Sequence, residues 1–244
     1  MHNCSLWAKP PGIHKFLPYG WWLCCALVLV KLSPLPIWAA NSANTDIRIL
    51  QQVEKYKSLK PSPRMMEAIQ KYDQYIRYFS SFAYHRKGRN VNPNYIRALI
   101  CVESGGNPRA VSPAKAYGLT QIIVPTGKRW ARELYATGYD FQHIEEKRLK
   151  DLSVSDLFDP AISILLACYG TDKFNSKFGG QDMVYIAASW NAGHAAVIKH
   201  KNSPPYKETI AFIGKINGYM LSLIEYGFSS HVPVRRFPPR SQGG

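Results

Sequence analysis

The sequence predicts a nearly all-α domain with a shorter helical extension ahead of it, and three observations carry that reading. Apolar side chains recur at helical spacing through residues 64–85, 96–103 and 162–169. Asn92-Pro93 and Asp159-Pro160 are helix starts, with a capping Asn or Asp followed by Pro at the first helical position. Alternating apolar and polar runs bounded by turns, the signature of strands, are missing. The expected segments are 1–43, a leader or anchor; 44–90, the helical extension; 91–226, the main domain; and 227–244, a disordered basic tail.

The leader comes first. His14 and Lys15 precede the apolar run Trp21–Val30, which Lys31 ends. That run is too short to span a bilayer comfortably and fits the apolar region of a secretory signal. Small residues follow at Ala39, Ala40, Ser42 and Ala43, so cleavage is expected near 40–43; an uncleaved anchor is the alternative. Export places the chain in the periplasm or cell envelope. The net charge of +15, from 31 basic and 16 acidic side chains, suits an anionic polymer or a membrane surface. Export argues against nucleic acid and favours the cell wall. Three of the five Cys lie in the leader; Cys101 and Cys168 remain, either as a disulfide or as two buried thiols. His143, His194 and His200 are scattered, no Cys/His cluster has zinc spacing, and neither a metal nor a cofactor is expected.

Residues 44–60 read as a short helix with Ile47, Leu50 and Val53 on one face, broken by Pro61 and Pro63. A stronger amphipathic helix follows over 64–85, with Met66, Ile69, Tyr72, Ile76, Phe79 and Ala83 inward and Lys71, Asp73 and Arg77 outward. Its aromatic stripe reads as packing against the main domain, with partner docking as the alternative. The basic loop 85–90 separates the two parts. Beyond residue 121 the sequence predicts a helix through Lys128, Trp130 and Leu134 and a polar stretch over 135–156. It then predicts the Pro160 helix with Ile162, Leu165, Leu166 and Tyr169, an Ala-rich helix over 182–190, and a last helix through Phe212, Ile216 and Met220.

The chemistry concentrates in residues 92–121. In the helix that starts at Asn92-Pro93, Ile96, Leu99, Ile100 and Glu103 share one face, so a carboxylate stands where a core residue would. Gly105, Gly106 and Pro108 stop the helix immediately afterwards. Burial and the negative end of the helix dipole both favour the protonated carboxyl, which makes Glu103 a candidate general acid. The plain alternative is a solvated last-turn Glu.

Glu103-Ser104-Gly105-Gly106-Asn107-Pro108, Ala110-Val111-Ser112-Pro113 and Ala116-Tyr117-Gly118-Leu119-Thr120-Gln121 together resemble the catalytic block of the soluble lytic murein transglycosylase (SLT-domain) family. Leu157-Phe158-Asp159-Pro160, Ser189-Trp190-Asn191-Ala192-Gly193 and Pro204-Pro205-Tyr206-Lys207-Glu208-Thr209 are similar to further elements of it. The resemblance covers residues 91 to about 220 and implies a mainly α, goose-lysozyme-like fold with a cleft between helix groups.

It also implies cleavage of the β-1,4 bond between N-acetylmuramic acid and N-acetylglucosamine in peptidoglycan, leaving a 1,6-anhydro sugar. Glu103 would be the sole acid and base. Ser104, Gln121, Trp190, Asn191, Tyr206 and Glu208 would bind substrate, Gln121 from the start of the second helix and Glu208 from the pocket floor. For Glu208 a helix-N-terminal charge is the plain alternative.

Two features bear on this reading. Ser104 to Arg132 holds no Asp or Glu, and Pro160 to Lys207 holds only Asp172 and Asp182, expected at loop or helix-start positions. That scarcity suits a reaction whose substrate supplies its own nucleophile. The departures are Trp190 for the family's Tyr, Thr120 for Met, Ile210 and Phe212 for Arg and Tyr, and a shifted Pro125. The alternatives are a goose-type muramidase, which needs a second carboxylate, and a non-catalytic peptidoglycan-binding scaffold. An exported transglycosylase of this size could serve general wall turnover or open a local gap for a secretion, pilus or conjugation apparatus, and its divergence leans to the latter.

Overall fold

The computed structural model describes residues 46–178, 183–201 and 203–235, all within one compact unit. The leader call over 1–43, Asp182 and the stretch 236–244 lie outside the described residues. Two helices come from the expected extension: α1 (Ile47–Tyr56) and α2 (Pro63–Ser80). The rest are α3 (Pro93–Ser104), α4 (Val124–Tyr135), α5 (Glu146–Lys150), α6 (Pro160–Lys177), α7 (Met183–Ala192), α8 (His194–His200) and α9 (Lys207–Glu225). A two-residue antiparallel ladder, β1 (Ala116–Tyr117) with β2 (Ile122–Ile123), joins α3 to α4.

Two helices make the centre. In α3, residues 93–101 are buried on every side; Asn92 caps it, accepting from the Asn94 N–H at 2.9 Å. In α6, residues 161–172 are likewise buried, and Asp159 caps it, accepting from the Ala161 N–H at 2.8 Å. Helices without a polar face belong inside a helical array. Around this pair α2 packs on α3 and α6, α7 on α6 and α9, and α9 on α3.

The extension is part of the same core. Ile49 and Val53 of α1 join the apolar cluster that holds Leu99 and Ile100, while Ile47 points to solvent. The buried face of α1 is therefore Ile49/Val53, rotated from the expected Ile47/Leu50/Val53 stripe. Its register is set by α9: a Cβ on Gly218 would lie 2.1 Å from the Tyr56 carbonyl oxygen, so only Gly admits α1 this closely.

Buried charges tie down the loop between α2 and α3. Asp172 is fully buried mid-helix in α6, not at a loop or helix start as expected. It accepts from the His85 N–H at 2.7 Å and from Arg86 Nε at 2.8 Å. Arg97 is fully buried too, donating from Nε to Asp73 at 3.0 Å and from a terminal nitrogen to the Ser229 carbonyl at 3.1 Å.

Residues 228–235 differ from the expected disordered tail. Asn94 Nδ2 donates to the Phe228 carbonyl at 3.0 Å and Asn90 Nδ2 to the Val232 carbonyl at 2.8 Å. The Arg235 N–H reaches the Ser81 carbonyl at 2.7 Å. The segment is strapped across α3 by side chains distant in sequence, so no local periodicity announces it. Cys101 and Cys168 are free and buried, and burial pushes both thiols up to about 12.

Candidate active site

Glu103 is placed by the way α3 ends. Ser104 is the last helical residue, and Gly105 at φ 58° turns the chain in the left-handed region, its N–H bonding the Cys101 carbonyl at 3.3 Å. The carboxyl sits in the last turn of a helix whose earlier residues are all core. It is half-buried, and its pKa is raised to about 8. Burial is the main cause, and the nearby negative charge of Glu208 adds to it. The indole of Trp190 acts in the opposite direction as a hydrogen-bond donor to the carboxylate. At pH 7 a group with a pKa near 8 is protonated in roughly nine of ten molecules. Glu103 is thus a proton donor at neutral pH, and its conjugate base has a donor waiting.

Trp190 lies in the last turn of α7 and is fixed from behind. Its ring lies 5.8 Å from Trp130 and 6.4 Å from Phe174, the latter edge to face. Trp130 in turn lies over Gly170 of α6, where a Cβ would approach the indole to 2.4 Å. An indole only donates, so it favours the ionised carboxylate over the acid. Asn191, next along α7, accepts from Thr209 Oγ1 of α9 at 2.7 Å, which pins the end of α7 to the first turn of α9. That turn carries Glu208, which is exposed rather than on a pocket floor, though near enough for Glu103 to feel its charge.

Ser104 donates to the Ile100 carbonyl at 3.2 Å, leaving its oxygen able to accept. Gln121 does not begin a helix; it sits in the β1–β2 turn at φ 50°, and α4 starts at Val124 with Pro125 in its first turn. Its Nε2 donates to the Ala110 and Gly118 carbonyls at 3.2 and 2.9 Å, so the side chain braces the turn and offers only its oxygen elsewhere. Thr120 points into the core, its Oγ1 2.9 Å from Ser163 Oγ. Tyr206 is about half exposed, with its ring edge-on to His200 at 5.8 Å.

Two residues stand out that the sequence did not mark as part of the site: Trp130 and Phe174, which support Trp190. Gly170 inside an otherwise apolar helix was the available signal for the close approach of Trp130.

The profile of the family described as "Transglycosylase SLT domain" matches residues 80–213. The chain belongs to the transglycosylase SLT domain family. Within this family it is similar to the "Membrane-bound lytic murein transglycosylase E" of Buchnera aphidicola, 36% identical over 138 residues that cover 54% of this chain and 58% of that protein. It is also similar to the "Soluble lytic murein transglycosylase" of Escherichia coli, 25% identical over 157 residues, 62% of this chain and 22% of that one. In three dimensions the 70 kDa soluble lytic transglycosylase of Escherichia coli matches at a TM-score of 0.50 and 22% identity, over 64% of this chain and 24% of that chain. The matched region is therefore less than two thirds of each relative's length, and under a quarter of the two Escherichia coli chains. The mainly α SLT fold is that of this chain.

Proposed function

We propose that the chain is a peptidoglycan lytic transglycosylase and that Glu103 is its single acid and base. The observation that carries this is the Glu103 carboxyl, half-buried at the end of an apolar helix with a pKa of about 8. A carboxyl still protonated at neutral pH is suited to give a proton to a glycosidic oxygen. In the proposed reaction Glu103 protonates the oxygen between N-acetylmuramic acid and N-acetylglucosamine, and that C–O bond breaks. The muramic acetamido group stabilises the cationic centre. The muramic 6-hydroxyl then attacks the same carbon, and Glu103, now a carboxylate held by the Trp190 indole, takes the hydroxyl proton. The product is a 1,6-anhydro end, no water is consumed, and Glu103 returns to its acid form. Holding the 6-hydroxyl against the carbon makes internal attack competitive with hydrolysis.

Ser104, Gln121, Trp190, Asn191, Tyr206 and Glu208 are proposed to contact the glycan. The acceptor oxygens of Ser104 and Gln121, which meet no donor among the described residues, and the exposed ring of Tyr206 support those roles. A hydrolase would need a second carboxylate to activate water. Asp172 is unsuited, since it is fully buried and bonded to His85 and Arg86. We further propose export to the periplasm, as for an enzyme acting on the wall, with local wall opening for a secretion, pilus or conjugation apparatus as its setting.

The test is digestion of purified sacculi by the wild type and by Glu103→Gln. Soluble muropeptides from the wild type alone support the reading. Equal release by both proteins removes Glu103 from the chemistry, and release by neither favours a peptidoglycan-binding scaffold.

A further inference from the structure

Two residues behind the Glu103 site are poor choices for stability. Gly170 lies in the interior of α6, where Gly weakens a helix. Trp130 of α4 is 3% exposed, and its Nε1–H has no hydrogen-bond partner among the described residues, which is unfavourable for a buried donor. Ala at 170 and Phe at 130 would avoid both defects. The two are one feature. A Cβ on Gly170 would lie 2.4, 2.5 and 2.9 Å from Cη2, Cζ3 and Cζ2 of Trp130, so the outer edge of the indole fills the slot that the missing side chain leaves. The smaller ring of a Phe would stop short of it.

The surroundings hold that indole in place and set Trp190 against it. Glu133, one turn further along α4, accepts from Tyr169 Oη at 2.6 Å and from the Lys173 ammonium, which ties α4 to α6 residues on either side of Gly170. Tyr169 and Phe174 pack edge to face with the indole at 6.5 and 5.9 Å. Trp190 lies against it at 5.8 Å, tilted by 43°. The Trp190 indole is in turn the donor to the Glu103 carboxylate. A hydrogen bond weakens steeply as its angle closes, so a small rotation of Trp190 would loosen that bond. Ring packing by Trp130 and Phe174 opposes the rotation.

We propose that Trp130 is a positioning residue for the reaction at Glu103: seated in the Gly170 slot, it keeps the Trp190 N–H turned to the carboxyl. Its consequence for catalysis rests on the lytic reading of Glu103; its effect on the carboxyl does not. The charged group that acts on Glu103 is Glu208 of α9, and Tyr95 of α3 is a phenol that burial keeps neutral. Trp130 and Gly170 carry no charge, so replacing either acts on the Glu103 proton through the Trp190 donor.

The test is a ¹³C NMR titration of the Glu103 carboxyl in the full chain, assigned with Glu103→Gln, beside the pH profile of sacculus digestion. The variants are Trp130→Phe, Gly170→Ala, Trp190→Phe and the double replacement of Trp130 and Trp190 by Phe. The expected result is a Glu103 pKa higher by at least about 0.5 in Trp130→Phe and in Gly170→Ala, as for a weakened bond to a charged group. The alkaline limb of digestion moves up with it. Trp130→Phe adds nothing once Trp190 is Phe, because its effect runs through that indole. A Glu103 pKa unmoved by Trp130→Phe, or moved equally when Trp190 is already Phe, overturns the proposal and leaves Trp130 a packing residue. The titration needs no turnover. A shifted carboxyl in a protein that releases nothing from sacculi therefore upholds the positioning role and refutes the lytic reading. Trp130→Phe only removes bulk, so it decides the matter should Gly170→Ala fail to fold.

Discussion

Replacing Glu103 by Gln should make the protein more stable, and by an amount that depends on pH. The folded state raises this carboxyl from its ordinary value of 4.5 to about 8, so between those values folded molecules hold the proton more often than unfolded ones do. Stability contributed by the group is therefore lost as pH rises through this window. Each pKa unit is worth about 1.4 kcal/mol, and by pH 7 the accumulated loss is at most about 3 kcal/mol, levelling above pH 8 at no more than about 5 kcal/mol. Gln keeps the shape, lets its carbonyl accept from Trp190, and has no charge to bury. Urea unfolding at pH 4, 7 and 9 measures the difference. The expected pattern is near-equal stability at pH 4, a variant advantage of up to about 3 kcal/mol at pH 7, and a larger one at pH 9. An advantage that does not change with pH, or a less stable variant throughout, would refute the burial argument for Glu103.

Three further outcomes follow from the same geometry. Trp190→Phe removes the indole donor, so the Glu103 pKa should rise and the alkaline limb of the sacculus-digestion profile should move to higher pH with a lower maximal rate; Trp190→Tyr, which restores a donor, should recover part of both. Glu208→Gln removes the repelling charge, and the alkaline limb should move to lower pH, an effect that added salt should imitate. Gly218→Ala forces a Cβ against the Tyr56 carbonyl, and thermal unfolding should show a loss of roughly 1–3 kcal/mol with α1 displaced from α9.

Much of this was legible in the sequence, for identifiable reasons. Helix starts are local events, so Asn92-Pro93 and Asp159-Pro160 announced α3 and α6 with their caps. The apolar periodicity of α3 put Glu103 on the core-facing side but left a solvated last-turn Glu open; the motif that follows it pointed to the half-buried position that the carboxyl takes. Other features depend on residues far apart in the chain. The α1 face follows from the glycine groove of α9, and the strap 228–235 from Asn90, Asn94 and Arg97. Gln121 looked like the first residue of a helix, but a positive φ and two backbone acceptors make it the brace of a turn. The substitution of Trp190 for Tyr was visible as a departure; that the indole still serves as a donor to Glu103, backed by Trp130 and Phe174, required the packed structure.

The most direct test of the central claim is digestion of sacculi in ¹⁸O-labelled water, with mass spectrometry of the released muramic ends. Attack by the sugar's own 6-hydroxyl predicts anhydro ends without label. Labelled reducing ends at the muramic C1 would mean that water is the nucleophile, and would contradict the assignment of Glu103 as the acid and base of an internal transfer.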